Sequence, residues 1–157
     1  MAQEIERKYL VKGDGWKKLT LLKKVNIEQG YLTKARNLTV RVRVTDDSAY
    51  LTIKGKKVDI TVPEYEYEIP HADGVELIVS SVTPLVKKVR HYVRDDKGQV
   101  WDIDVFKGIN RGLTMAEIEL TNAKQTVTLP AWISTEVSHD KRYVNTYLAE
   151  HKVPRTL

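Results

Sequence analysis

Glu4, Glu6 and Lys8 stand at every second position near the start of the chain, in the stretch EIERKYLV. Carboxylate oxygens suit a hard divalent cation and an ammonium suits a phosphate oxygen, so the three could act together if the backbone turned them the same way. An extended strand does this, because alternate side chains leave opposite faces. The other face then carries Ile5, Arg7 and Tyr9, with Arg7 free to make an ion pair on the outside. The pattern recurs with Arg41 and Arg43 in LTVRVRVT, Lys54 in YLTIKG, and Glu64, Glu66 and Glu68 in PEYEYEI. It continues with Lys88 and Arg90 in KKVRHYV, Asp102 and Asp104 in VWDIDVF, and Glu117 and Glu119 in MAEIEL.

One such strand is an ordinary half-wet antiparallel strand. The same arrangement along so many strands is not, because their opposite faces carry Trp, Tyr, Ile and Val that must themselves be covered. If those faces are packed, the charged faces meet when the sheet closes, and the result is a barrel with a charged lumen. Desolvated charges are costly unless paired or bound. The basic set (Lys8, Arg41, Arg43, Lys54, Lys88, Arg90) suits a polyanion. The acidic set (Glu4, Glu6, Asp104, Glu117, Glu119) suits a hard cation. A polyphosphate with Mg²⁺ or Mn²⁺ satisfies both.

The elements that must position these residues read as strands over 26–34, 38–45, 48–55 and 59–69, then 86–94, 99–107 and 113–121. Helices are expected over 14–24, capped by Asp14, over 71–82 before Pro84, and over 139–150. Pro63 marks an edge or a bend in its strand, and Asp95-Asp96-Lys97-Gly98 signals a hairpin. The fold class is therefore mainly β with a few peripheral helices, in one domain over 1–157.

With 41% hydrophobic and 30% charged residues, the composition is that of a globular chain. No apolar run approaches the roughly 20 residues of a spanning helix, and the absence of cysteine excludes disulfides and thiolate metal sites. A cytoplasmic protein without a membrane role is expected. The net charge of +5 points to anionic partners, but no dense basic block interleaved with aromatics marks a nucleic-acid surface. The histidines at 71, 91, 139 and 151 lack metal-ligand spacing. Gly55-Lys56-Lys57 lacks the earlier glycine of a phosphate-binding P-loop.

The ordered set of motifs resembles the CYTH superfamily, the triphosphate tunnel metalloenzymes, in its short bacterial form. Glu4-Ile5-Glu6-Arg7-Lys8 is similar to that family's N-terminal ExExK. The likeness continues through EQGYL (28–32), the Arg41/Arg43 pair, TIKG (52–55), EYEYEIP (64–70) and Lys88/Arg90. It ends with WDIDVF (101–106), AEIEL (116–120) and the D-x-R-Y-x-N of 140–145. The resemblance implies an eight-stranded antiparallel closed tunnel barrel binding a triphosphate and one or two divalent ions, Mg²⁺ or Mn²⁺. It implies hydrolysis of inorganic tripolyphosphate to pyrophosphate and phosphate. The alternatives are a class IV adenylate cyclase, a nucleoside or thiamine triphosphatase, and a polyphosphate-binding module without turnover.

On this reading Lys8, Arg41, Arg43, Lys54, Lys88 and Arg90 hold the phosphates, with Arg142 reaching in from the last helix. Glu4, Glu6, Glu117 and Glu119 hold the metal, Asp104 completes its shell, and Glu4 or Glu6 orients the attacking water. Glu66 and Asp102 support these groups from behind. Two positions depart from the family pattern: Val62 stands where an Arg is usual, and Asp102 where a Glu is usual. The expected partner is inorganic triphosphate or a nucleoside triphosphate, and a homodimer would help to cover the apolar outer residues.

Overall fold

The computed structural model describes residues 2–153. Nine strands make up the sheet: β1 (Gln3–Val11), β2 (Thr20–Ala35), β3 (Leu38–Val44), β4 (Ala49–Lys54), β5 (Thr61–Ile69), β6 (Val86–Arg94), β7 (Val100–Phe106), β8 (Thr114–Glu119) and β9 (Ile133–Glu136). Two short helices, α1 (His71–Leu77) and α2 (Asn145–Leu148), and four 3₁₀ turns complete it. The strand order is β5-β4-β3-β2-β6-β7-β8-β1-β9, and an additional β5–β1 pairing joins the ends. Eight strands thus form a closed antiparallel ring, the closure expected from the charge pattern and the strand number implied by the resemblance.

The ring closes through β1, whose edge is shared. Residues 3 to 5 pair with β5 from Pro63 to Thr61, whereas Tyr9 and Val11 pair with Glu136 and Ile133 of β9. Pro63 sits at this junction: β4 pairs β5 from Glu64 onward and β1 takes it before that point. The proline carbonyl still accepts from Gly55 N–H at 2.9 Å, so the missing N–H costs the ladder little there.

The helix expected over 14–24 is not formed. A 3₁₀ turn at Gly15–Lys18 leads directly into β2, and Asp14 makes no capping hydrogen bond. Residues 20–29 pair along β6, with a bulge between Leu21 and Lys23. That bulge breaks the two-residue alternation, which is why TLLKK reads as helical in sequence. The helix expected over 71–82 is α1 continued by a 3₁₀ turn at Ile78–Ser80, and that over 139–150 is a 3₁₀ turn followed by the four residues of α2.

The main hydrophobic core lies outside the ring. Tyr9, Val93, Trp101, Ile103, Ala116 and Ile118 point away from the lumen and are covered by Trp16, Leu120, Trp132 and Ile133. Trp101 is fully buried and meets Tyr9 and Trp132 edge to face, at 5.8 and 5.3 Å between ring centres. A second cluster, with Phe106, Met115, Tyr143, Leu148 and Val153, packs the C-terminal segment against the strands. Asn110 ties that segment down by donating to the carbonyls of Leu148 and His151 and accepting from Val153 N–H. With the main core packed outside, the charged faces are left to the interior, which they share with Phe106 and Met115, the cross-strand partners of Lys88 and Asp104.

Candidate active site

A cavity of about 210 Å³ lies inside the ring, and its walls are the alternating residues. Glu4, Glu6 and Lys8 enter from β1, Arg41 and Arg43 from β3, Lys54 from β4, and Glu64 and Glu66 from β5. Arg90 and Tyr92 enter from β6, Asp102 from β7, Glu117 and Glu119 from β8, and Asn145 from α2. The register explains this convergence. Glu6 lies opposite Glu119, Lys8 opposite Glu117, Glu117 opposite Asp102, and Asp102 opposite Tyr92, so neighbouring strands deliver the same face at the same level.

The walls divide electrostatically. On the β1, β5 and β8 side carboxylates dominate, interrupted by two ammonium groups. Lys54 Nζ lies 2.9 Å from Glu4 and 3.3 Å from Glu64. Lys8 Nζ lies 3.7 Å from both Glu6 and Glu117. These two lysines do not neutralise the cluster. Burial, reinforced by the neighbouring Glu117 charge, pushes the Glu6 carboxyl up to about 8 against the pull of Lys8. Burial and the hydrogen bond and charge of Glu4 raise Glu64 to about 7. Glu4 is lowered to about 2, because Lys54, its hydrogen bonds and Lys8 overcome its burial.

The opposite side carries an excess of guanidinium groups. Arg41 donates to Thr52 Oγ1 at 3.2 Å, and Thr52 in turn donates to Glu66 at 3.0 Å. Arg43 donates through Nε to the side-chain oxygen of Gln29 at 3.2 Å. Burial, with Arg41 and Arg90 nearby, lowers Arg43 to about 10.

Two expected site residues stand behind this wall rather than on it. Asp104 is buried and takes Arg90 Nε at 2.7 Å, Arg90 Nη2 at 2.8 Å and Lys88 Nζ at 2.8 Å. Its oxygens are occupied by cations, so it anchors Arg90 and does not face the cavity. Lys88 is equally buried, and besides Asp104 it reaches Asn145 Oδ1 at 3.3 Å. Arg142 is not brought to the site. It pairs on the surface with Asp140, at 2.7 Å and two residues away, which removes it from the group expected to hold phosphate. Arg7 makes the outer ion pair foreseen for it, with Glu136 at 3.1 Å.

Val62 lies opposite Glu4 in the β1–β5 ladder, so the departure from the family pattern falls beside the acidic wall. Tyr92 and Asn145 line the cavity and Gln29 stands behind Arg43; none carries a charge, so a search for in-phase charges does not find them. For Tyr92 the available signal was its place two residues after Arg90 on the same strand face.

Among the described residues no three carboxylate or histidine side chains form a ready-made metal cage. The donor set nevertheless fits a hard divalent cation. Glu4, Glu6, Glu117 and Glu119 offer only oxygen, and the buried acids exceed what Lys8 and Lys54 can balance. A larger cavity of about 530 Å³ beside Leu10, Ile109, Tyr143 and Val153 is apolar and has no carboxylate on its walls.

Comparison with known proteins agrees with this geometry. The model of the CYTH domain matches residues 2–156. An inorganic triphosphatase of Acetivibrio thermocellus is 41% identical over 152 residues, covering 96% of each chain. One of Nitrosomonas europaea is 33% identical over 151 residues, covering 93% of this chain and 96% of that protein. A crystal structure of an inorganic triphosphatase matches with a TM-score of 0.67 at 33% identity over 95% of both chains.

Proposed function

Because the chain belongs to the CYTH domain family, we propose that it hydrolyses inorganic triphosphate to pyrophosphate and phosphate with a divalent cation, Mg²⁺ or Mn²⁺. The observation that carries this reading is the shape and lining of the lumen. At about 210 Å³ it is smaller than the roughly 300–1,000 Å³ typical of sites for drug-sized ligands, and its walls are ionic instead of apolar. Such a site suits a compact polyanion better than a nucleoside. Tyr92 is the one aromatic side chain on the cavity wall among the described residues. Names of relatives support the same substrate: two proteins similar over nearly the whole chain are inorganic triphosphatases.

In this reading Arg41, Arg43 and Arg90 take the phosphate oxygens from one side, and Lys8 and Lys54 reach them from the other. Asp104 holds the Arg90 guanidinium in place, so its orientation is fixed before substrate arrives. A divalent cation held by Glu4, Glu6, Glu117 and Glu119 would neutralise charge on the phosphate oxygens. Glu4 or Glu6 orients a water toward the terminal phosphorus. The water oxygen bonds to that phosphorus, the bridging P–O bond breaks, pyrophosphate departs with the electron pair, and the water's two protons stay with the released phosphate or pass to pyrophosphate or solvent. Phosphoryl transfer depends chiefly on positioning and charge stabilisation, which a preformed ionic tunnel supplies.

The test is phosphate release from inorganic triphosphate and from ATP side by side, with and without Mg²⁺ or Mn²⁺, while cyclic AMP is followed. Metal-dependent release from triphosphate, exceeding that from ATP, is expected. Cyclic AMP from ATP would replace this reading with cyclisation, and tight triphosphate binding without release would leave a binding module.

A further inference from the structure

Gln29 is fully buried on β2, directly opposite Arg43 in the β2–β3 ladder, and so shares its interior face. Its amide orientation is fixed by chemistry: Arg43 Nε can only donate, so the amide oxygen must face it, at 3.2 Å. Gln29 Nε2 then points elsewhere, and it is a buried donor with no hydrogen-bond partner. Buried polar groups are nearly always paired, so such a donor calls for a missing acceptor. The backbone around it is pinned from outside. Tyr31 N–H donates to Ser81 Oγ at 3.0 Å, and a Cβ added at Gly30 would lie 2.7 Å from Ser81 Cβ. The strand is therefore held with Gln29 turned inward beside the Arg43 guanidinium, next to Arg41, which meets Glu66 at 3.6 Å, and to Arg90, which is paired with Asp104.

We propose that Gln29 is a recognition and positioning residue of the anion site: its oxygen aims the Arg43 guanidinium into the tunnel and its Nε2 donates to an oxygen of the same phosphate group. This rests on the triphosphate reading of the lumen. Arg43 Nε, once engaged by Gln29, leaves both Nη groups for a bidentate grip, and the amide adds a third donor beside them. A neutral donor at this point adds recognition without adding repulsion to the neighbouring guanidinium groups.

The test is isothermal titration calorimetry of the full-length protein with sodium tripolyphosphate, comparing wild type with Gln29→Met, Gln29→Glu, Arg43→Ala and Gln29→Met/Arg43→Ala. Thermal unfolding of each variant establishes that it is folded. Gln29→Met, close in length and apolar, should weaken binding roughly ten- to a hundredfold. Gln29→Glu should weaken it at least as much, although its carboxylate still accepts from Arg43 Nε, because the donor is lost. A merely structural brace would instead be preserved by Glu. The double variant should be little weaker than Arg43→Ala alone, since the two groups act on one phosphate. Wild-type affinity in Gln29→Glu, or additive losses in the double variant, would overturn the proposal while leaving the triphosphate reading intact. Unchanged affinity in Arg43→Ala would remove both, by a separate signature. If Gln29→Met fails to fold, Gln29→Glu decides alone.

Discussion

Asp104 shows how far the type of a residue falls short of its role. Its in-phase place with Asp102 made it an oxygen donor for a cation, and the cation it meets is Arg90, gripped at 2.7 and 2.8 Å, with Lys88 alongside. Replacing it by Asn would leave the buried Lys88 without its paired carboxylate and Arg90 with only the longer contacts to Asp102 and Glu117, both at 3.4 Å. Asp104→Asn should therefore cost about 3–5 kcal/mol of stability, read as a shift in the urea unfolding midpoint at unchanged slope. A shift under about 1 kcal/mol, the scale of a surface pair, would show that Asp104 is not the anchor described. The alternating charges identified Glu4, Glu6, Lys8, Arg41, Arg43, Lys54, Arg90, Glu117 and Glu119, all of which line the cavity. Charge alone could not say that Lys88 and Asp104 stand one layer back, because depth depends on register and not on residue type. Nor could it place Arg142, whose nearest carboxylate is two residues away and holds it at the surface. Gln29 escaped because β2 contributes Ile27, Gln29 and Tyr31 to the interior, a face without charge.

At the scale of elements, period and turn chemistry located most strands to within a residue or two, and β6 was read with its observed bounds, Val86–Arg94. The failures share a cause. The bulge in β2 disguised its first residues as a helix, and β9 is only four residues long, with no alternating signal of its own. The β6–β7 hairpin was legible from Asp95-Asp96-Lys97-Gly98, but the role of its first residue was not. Asp95 is buried and accepts from Lys97 N–H and Gln99 N–H at 2.9 Å, from Gln99 Nε2 at 2.8 Å and from Trp101 Nε1 at 2.9 Å. Burial alone would raise its pKa, but these bonds outweigh burial and lower it. A carboxylate whose folded pKa lies below its unfolded value of about 3.9 adds stability above that value and loses it as pH falls through the folded pKa. Asp95→Asn should therefore lower the unfolding temperature near neutral pH and lose less of it than wild type on acidification below roughly pH 4. Parallel loss in both proteins across that range would contradict the assignment.

The whole molecule is inverted relative to an ordinary small barrel: its main hydrophobic core packs outside the strands and its charges meet inside. Burying acids and bases in a lumen does little for stability, since desolvation offsets much of their attraction. The stabilising burial is supplied by Tyr9, Trp16, Trp101 and Trp132 around the outer wall. That division lets the lumen carry an excess of acid facing an excess of guanidinium, an arrangement suited to holding a cation against a polyanion. The apolar outer faces of β1, β6, β7 and β8 are covered by the chain itself, whereas Tyr65 and Tyr67 of β5 remain exposed. The most direct test of a metal-dependent triphosphatase site in this lumen compares Glu6→Gln with wild type. Phosphate release from inorganic triphosphate at saturating Mg²⁺ would be measured beside the affinity for triphosphate. Turnover should fall by about 10²-fold or more while triphosphate affinity changes by less than about tenfold, because the lost carboxylate belongs to the acidic wall and not to the guanidinium side. Turnover at the wild-type rate, or equal losses of turnover and affinity, would contradict the account.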